Sequence, residues 1–302
     1  MRIREHSSKS IVWLVSAVIV ASLGLKSKAA GQTVTSAQPI YIGSRKSDSE
    51  LPFVLRDGYL IVVEGRIGRK RRVRLAVDTG ATYSVLRSDI ASGHVFTHRT
   101  IRVVNLDRVV TQEGVDVADF QLGPIQVPHL LMMTSALSYL AEADPDLDGI
   151  VGLDVLRQSN FTIDFGRGRI VFGATPAFRS SVAMEDQSYL AVDIQMLKRP
   201  VRLVLDTGVR CILLYRDRMG DRLPDLRIEQ RIRGTSFSGS ASLDVVTLPP
   251  LELNGTALQR KAVLLRNSPQ GFLPELDGYF SVVSLGARRL SFDFEKKLFS
   301  WE

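Results

Sequence analysis

The hydrophobic pattern divides the chain into a short apolar run near its start, a mostly polar stretch, and a long remainder patterned for strands. Residues 11–25 are apolar apart from Ser16, Ser22 and Gly24, and small and polar residues dominate up to about residue 50. From Leu51 onward, β-branched and aromatic residues gather in short runs such as Tyr59-Leu60-Ile61-Val62-Val63. Most of this part lacks the 3.6-residue spacing of an amphipathic helix. The pattern predicts an all-β fold, mainly strands with short helices.

Two of the apolar runs are near copies. Val73-Arg74-Leu75-Ala76-Val77-Asp78-Thr79-Gly80 returns as Val201-Arg202-Leu203-Val204-Leu205-Asp206-Thr207-Gly208. Other pairs keep nearly the same offset: Tyr59-Leu60 with Tyr189-Leu190, Asp148-Gly149 with Asp277-Gly278, and Thr162-Ile163-Asp164-Phe165 with Ser291-Phe292-Asp293-Phe294. A repeat this regular predicts a duplicated lobe. The expected organisation is a first lobe over 51–172, a linker over 173–185 and a second lobe over 186–302. Homologous lobes packed about a pseudo-twofold axis bring equivalent residues together, so Asp78 and Asp206 are expected to meet. A strand that delivers a carboxylate into a tight glycine turn also holds it on a rigid element.

Composition narrows the function. The 302 residues are 45% hydrophobic and 24% charged, enough for a sizeable core and incompatible with disorder throughout. The net charge of +7 is concentrated at the start, where Arg2, Arg4, Lys9, Lys26 and Lys28 face only Glu5. Beyond residue 31 the balance is close to neutral, which argues against nucleic acid as a partner. The basic run Gly68-Arg69-Lys70-Arg71-Arg72 lies between apolar strands and reads as a solvated hairpin turn. Cys211 sits in an apolar run and is expected in the core, and as the single cysteine it rules out an internal disulfide.

The first 31 residues have the layout of a secretory signal: basic residues, the apolar run 11–25, then Ala29-Ala30-Gly31. They are read as a signal peptide or an N-terminal membrane anchor, followed by a flexible spacer over 32–50. The expected location is therefore exported, periplasmic or extracellular, with residues 11–25 as the alternative anchor.

Two metal-like patterns fall away on inspection. Asp144-Pro145-Asp146-Leu147-Asp148-Gly149 opens like a calcium loop, but its twelfth position is Val155 where a bidentate glutamate is needed. His94 and His98 have helical ligand spacing across a Val-Phe-Thr segment that makes a poor helix.

Taken together, Asp78-Thr79-Gly80-Ala81-Thr82, its second copy Asp206-Thr207-Gly208-Val209, and Ile150-Val151-Gly152-Leu153 resemble the aspartic peptidases of the pepsin and retropepsin group. The resemblance extends over both lobes and implies a two-lobed acid-protease barrel fold. It implies Asp78 and Asp206 as the catalytic pair, with Gly80 and Gly208 permitting the close turns. Thr79 and Thr207 would bond across the lobe interface, and Ile150-Val151-Gly152 would pass behind the first catalytic loop. A polypeptide substrate is implied, with no cofactor or metal, and dimerisation is not required for the pair. Mobile hairpins cover the cleft in that group; Asn105-Leu106-Asp107-Arg108 and Gly234-Thr235-Ser236-Phe237-Ser238-Gly239 are compatible with that role and equally with ordinary surface turns.

The second copy departs from the pattern at Val209-Arg210, and Tyr279-Phe280-Ser281 stands where the first lobe has Ile150-Val151-Gly152. Arg210 either turns toward Asp206, where it would lower that carboxylate's pKa, or points into the cleft as a substrate contact. These departures leave a second expectation beside the endopeptidase: an envelope peptide-binding module that keeps the lobes without turnover.

Overall fold

The computed structural model describes residues 12–13, 50–68, 71–106, 108–237, 239–270, 273 and 275–302. The signal or anchor over 1–31 and the spacer over 32–50 lie outside the described residues, except for Val12–Trp13 and Glu50.

The chain is mainly β, and each lobe is built on the same plan. In the first, Leu60–Ile67 pairs antiparallel with Arg71–Val77, which in turn runs parallel to Gly149–Val151. In the second, Leu190–Met196 pairs antiparallel with Arg199–Asp206, which runs parallel to Gly278–Ser281. These central strands are almost wholly buried near their ends, which is why they read as continuous apolar runs rather than alternating ones.

The repeated Asp-Gly pair sets this geometry. Asp148 Oδ2 accepts the Arg74 N–H at 2.9 Å, and Asp277 Oδ2 accepts the Arg202 N–H at 3.0 Å. The glycine that follows lets the next strand cross closely: a Cβ at Gly149 would stand 2.4 Å from the Val85 carbonyl oxygen, and one at Gly278 would stand 2.0 Å from that of Leu213. Asp144, at the head of the calcium-like run, is bonded to Arg56 and Arg74.

The lobes share a sheet. Phe161–Asp164 pairs antiparallel with Arg289–Asp293, with Thr162 opposite Ser291 and Phe161 opposite Phe292. Thr162 and Ser291 are also repeat mates, so each residue faces its own counterpart and the pseudo-twofold axis passes between them. Their hydroxyls bond at 3.1 Å, and the Phe161 and Phe292 rings stack at 4.8 Å.

The segment expected to link the lobes contributes a strand. Within 173–185, Ser180–Ala183 pairs antiparallel with Leu298–Trp301 at the end of the chain. The segment thus adds an outer strand to the shared sheet, stabilised by backbone hydrogen bonds to the C-terminal strand.

Each lobe also carries a long hairpin: Val95–Val104 with Val109–Leu122, and Gln230–Ser236 with Gly239–Thr247. The strand Val95–Val104 takes in His98, so the His94/His98 spacing falls on extended chain and not on one helix face. Leu106 at the tip of the first hairpin is buried among second-lobe residues Tyr189, Val209, Leu213 and Tyr215. Phe237 at the tip of the second packs against the first lobe, with its ring edge-on to Tyr139 at 6.3 Å. The hairpins therefore cross, each capping the opposite lobe.

Candidate active site

Asp78 and Asp206 end equivalent strands and come together at the lobe interface, where both are fully buried. Their carboxyls lie within hydrogen-bonding reach of each other. In the first loop, the N–H groups of Gly80 and Ala81 donate to Asp78 Oδ1 at 2.9 and 3.2 Å. In the second, the Gly208 N–H donates to Asp206 Oδ1 at 2.6 Å. The other oxygens, Asp78 Oδ2 and Asp206 Oδ2, are buried and accept no N–H or O–H from any other described group. Each carboxyl is thus held by Oδ1, while its buried Oδ2 is left without such a donor.

Gly80 is what permits the approach. A Cβ there would lie 2.4 Å from Asp206 Oδ2, so any side chain would push the second carboxyl away.

The two threonines lock the loops together. Thr79 Oγ1 donates to the Leu205 carbonyl at 2.9 Å and accepts the Thr207 N–H at 3.1 Å. Thr207 Oγ1 donates to the Val77 carbonyl at 2.8 Å and accepts the Thr79 N–H at 3.0 Å. Four buried hydrogen bonds at about 1 kcal/mol each fix the separation of the carboxyls far better than packing alone.

Burial is the main force on both acids, because it penalises the charged form. It pushes Asp78 up to about 7, partly offset by its bond from Asp206 and by the Gly80 and Ala81 N–H groups. Asp206 is raised well above the ordinary carboxylate range, first by burial and then by the negative field of Asp78. The mutual bond lowers one and raises the other, so one proton is shared and the pair titrates as a unit.

Behind the first loop, Ile150-Val151-Gly152 lies where expected. The Leu153 N–H donates to the Ala81 carbonyl at 2.8 Å, and a Cβ at Gly152 would stand 2.7 Å from that same oxygen. In the second lobe Ser281 takes this place and bonds the loop with its side chain instead, Oγ donating to the Val209 carbonyl at 2.6 Å. Val209 is buried in the second-lobe cluster.

Arg210 is exposed, and the main influences on Asp206 are burial, Asp78 and the loop N–H groups. Its positive field instead acts on Tyr59 of the first lobe and on its neighbour Cys211. Cys211 is half-buried against the second-lobe cluster, and burial pushes its thiol up to about 11.

Several contributors were not visible in the sequence. Ser84 Oγ donates to Asp154 at 2.7 Å and accepts the Gly152 N–H at 3.0 Å, tying the short helix Leu153–Leu156 to the first loop. Burial raises Asp154 to about 6. The Tyr279 ring lies edge-on to that of Tyr215 at 6.2 Å, and the Tyr279 hydroxyl, pushed up chiefly by burial, feels the charges of both aspartates. Tyr215 Oη donates to the Leu106 carbonyl at 2.7 Å. An apolar residue at a hairpin tip between Asn105 and Asp107 is the one sequence signal that could have singled out Leu106.

No protein-family model matches the sequence, and no curated protein matches it. Among solved structures, the crystal structure of basic 7S globulin from soybean is similar to this chain, with a TM-score of 0.48 and 12% identity over 84% of this chain and 95% of that one.

Proposed function

We propose that the chain is an aspartic-type endopeptidase that hydrolyses peptide bonds with a water held between Asp78 and Asp206. The observation that carries this reading is the pair itself: two buried carboxyls, fixed by reciprocal threonine bonds, each with one oxygen that takes no hydrogen bond from another described group.

The chemistry follows from one shared proton. The ionised carboxylate takes a proton from the water as the water oxygen attacks the scissile carbonyl carbon. The protonated partner gives its proton to the carbonyl oxygen, and a tetrahedral diol forms. On collapse, the carboxyl that gained a proton passes one to the leaving nitrogen, the C–N bond breaks, and a diol proton returns to the other carboxyl. The pair ends with the single proton it began with.

Arg210 bears on the choice between turnover and binding alone. A guanidinium bonded to Asp206 would hold that carboxyl ionised and oppose proton sharing. No ion pair joins Arg210 to Asp206 among the described residues, which supports the enzyme over the binding module. The test is cleavage of a peptide library by the purified chain between pH 3 and pH 8, with Asp78→Asn as control. Cleavage that is lost in the variant and blocked by a statine-type mimic supports the reading; binding of peptides without cleavage at any pH supports the module.

A further inference from the structure

We propose that one end of the sheet shared by the lobes is a binding site for a phosphate-type oxyanion, gripped by the guanidiniums of Arg167 and Arg288. None of its lining residues belongs to the aspartate loops, and the site does not depend on the peptidase reading.

The turn over residues 165–168 and the strand end at Arg288-Arg289 enclose a cavity of about 330 Å³, lined by Asp164, Arg167, Arg288, Arg289 and Glu302. Three guanidiniums against two carboxylates leave an excess of positive charge. The carboxylates are also engaged already. Glu302 Oε1 accepts the Arg289 Nε–H at 2.6 Å, and Asp164 Oδ1 accepts the backbone N–H of Arg167 at 2.9 Å. Arg167 and Arg288 are left over. Arg167 Nε stands 4.0 Å from Asp164 Oδ2, and neither guanidinium forms a hydrogen bond among the described residues.

The backbone fixes where these arginines stand. The Arg288 N–H donates to the Glu302 carbonyl at 2.8 Å, and the Phe165 N–H donates to the Arg288 carbonyl at 3.0 Å. A Cβ at Gly166 would lie 3.2 Å from Arg288 Nη2, so the bare turn lets the guanidinium lie against it. A planar fork of N–H donors matches the oxygens of a phosphate, and a tetrahedral anion has oxygens enough for two such forks.

The other end of the same sheet, related by the repeat, is closed on itself. Both turns open with the same bond, from the N–H of residue 167 or 296 to the aspartate three before it. Beyond that they differ. Lys296, the mate of Arg167, reaches Asp293 Oδ2 with Nζ at 3.0 Å. Asn160, the mate of Arg289, donates to Asp293 Oδ1 at 3.3 Å and accepts the Phe294 N–H at 2.8 Å. Thr175 Oγ1 also donates to Asp293, at 2.8 Å. The charges at that end are spent within the fold, whereas the arginine end keeps donors to give.

Calorimetric titration of the full chain with inorganic phosphate, against sodium chloride of equal ionic strength, tests the site. Saturable binding is expected, weakened about ten-fold in Arg288→Ala and in Arg167→Ala, each of which removes a charge-assisted pair. Arg288→Lys keeps the charge and loses the fork, so its affinity should fall between those of the parent and Arg288→Ala. Lys296→Ala, at the closed end, should bind as the parent does. Both arginines are exposed and their guanidiniums unbonded, so the alanine variants keep the parent's melting temperature and the comparison reads binding alone. A second arm separates a free ion from a headgroup: co-sedimentation with phosphatidylglycerol vesicles, measured as the gain over phosphatidylcholine vesicles. Phosphate binding that depends on both arginines supports the site for a free ion. Where only the vesicle gain depends on them, the site takes a phosphate ester at a lipid surface. Binding that either alanine variant leaves unchanged, or no binding of either probe, overturns the proposal.

Discussion

The loops Asp78–Thr82 and Asp206–Arg210 began as copies and now do the same task by different means. The first is compact: Ala81 is small, Gly152 passes behind it without a side chain, and Ser84 with Asp154 braces that glycine. The second is bulkier, with Val209 packed into a core and the Ser281 hydroxyl supplying the brace. What has not diverged is the set of atoms that meet at the axis: the aspartates, their N–H donors and the crossed threonines. Geometry at the shared centre is constrained by both lobes at once, whereas the outer supports answer only to their own.

The largest expected effect tests whether the carboxyls are equal halves of one site. Asp78→Asn and Asp206→Asn should each lower kcat/KM for a cleaved peptide by about a thousand-fold or more. A variant that kept most of its activity would show that its loop is structural only. The threonines provide the stability counterpart. Thr79→Val and Thr207→Val should each cost about 2 kcal/mol in denaturant unfolding, since each removes a hydroxyl and strands buried partners. The double variant should lose less than the sum, because the bonds belong to one network. A strong inequality between the single variants would break the symmetry.

Proton linkage gives a subtler comparison. Asp78 and Asp206 are both raised in the fold, so their contribution is fully present below the unfolded value of about 3.9. It is lost as pH rises through the folded values, and for Asp78 that window closes near pH 7. The melting temperature of Asp78→Asn minus that of the parent should therefore increase between about pH 4 and pH 7. A flat difference would mean that the acid is not raised. The smallest effect is expected at the most conspicuous divergence. Arg210→Thr restores the first-lobe residue and should change kcat by less than about three-fold, because no ion pair joins Arg210 to Asp206 among the described residues. A rise of a hundred-fold in this assay would place the arginine as a brake on the site.

Much of this centre was legible in the sequence because a duplication displays its own constraints. Asp78 and Asp206, Thr79 and Thr207, and Asp148 and Asp277 each recur at nearly one offset, and a pseudo-twofold axis turns that offset into proximity. The features that stayed hidden have no repeat mate of the same kind. Tyr215 matches Arg87, Asp154 matches Val283, and Leu106 touches residues more than 80 positions away. Contacts of this kind arise from how the lobes close on each other, and no local spacing encodes them. The strand Ser180–Ala183 was hidden for another reason: its partner is the last strand of the chain, and its own short, half-buried sequence carries little apolar signal.

That outer strand bears on how the two halves could be separated. A cut made near residue 176 would leave Ser180–Ala183 with the second half, still paired to Leu298–Trp301, while Phe161–Asp164 and Arg289–Asp293 remained as matching exposed edges. Two fragments with complementary edges and interlocking threonines are suited to reassembly in trans. Once cut, however, they would meet at their solution concentration and not at the millimolar effective concentration that a short tether maintains. Activity recovered on mixing such fragments should accordingly depend on dilution, whereas that of the intact chain should not.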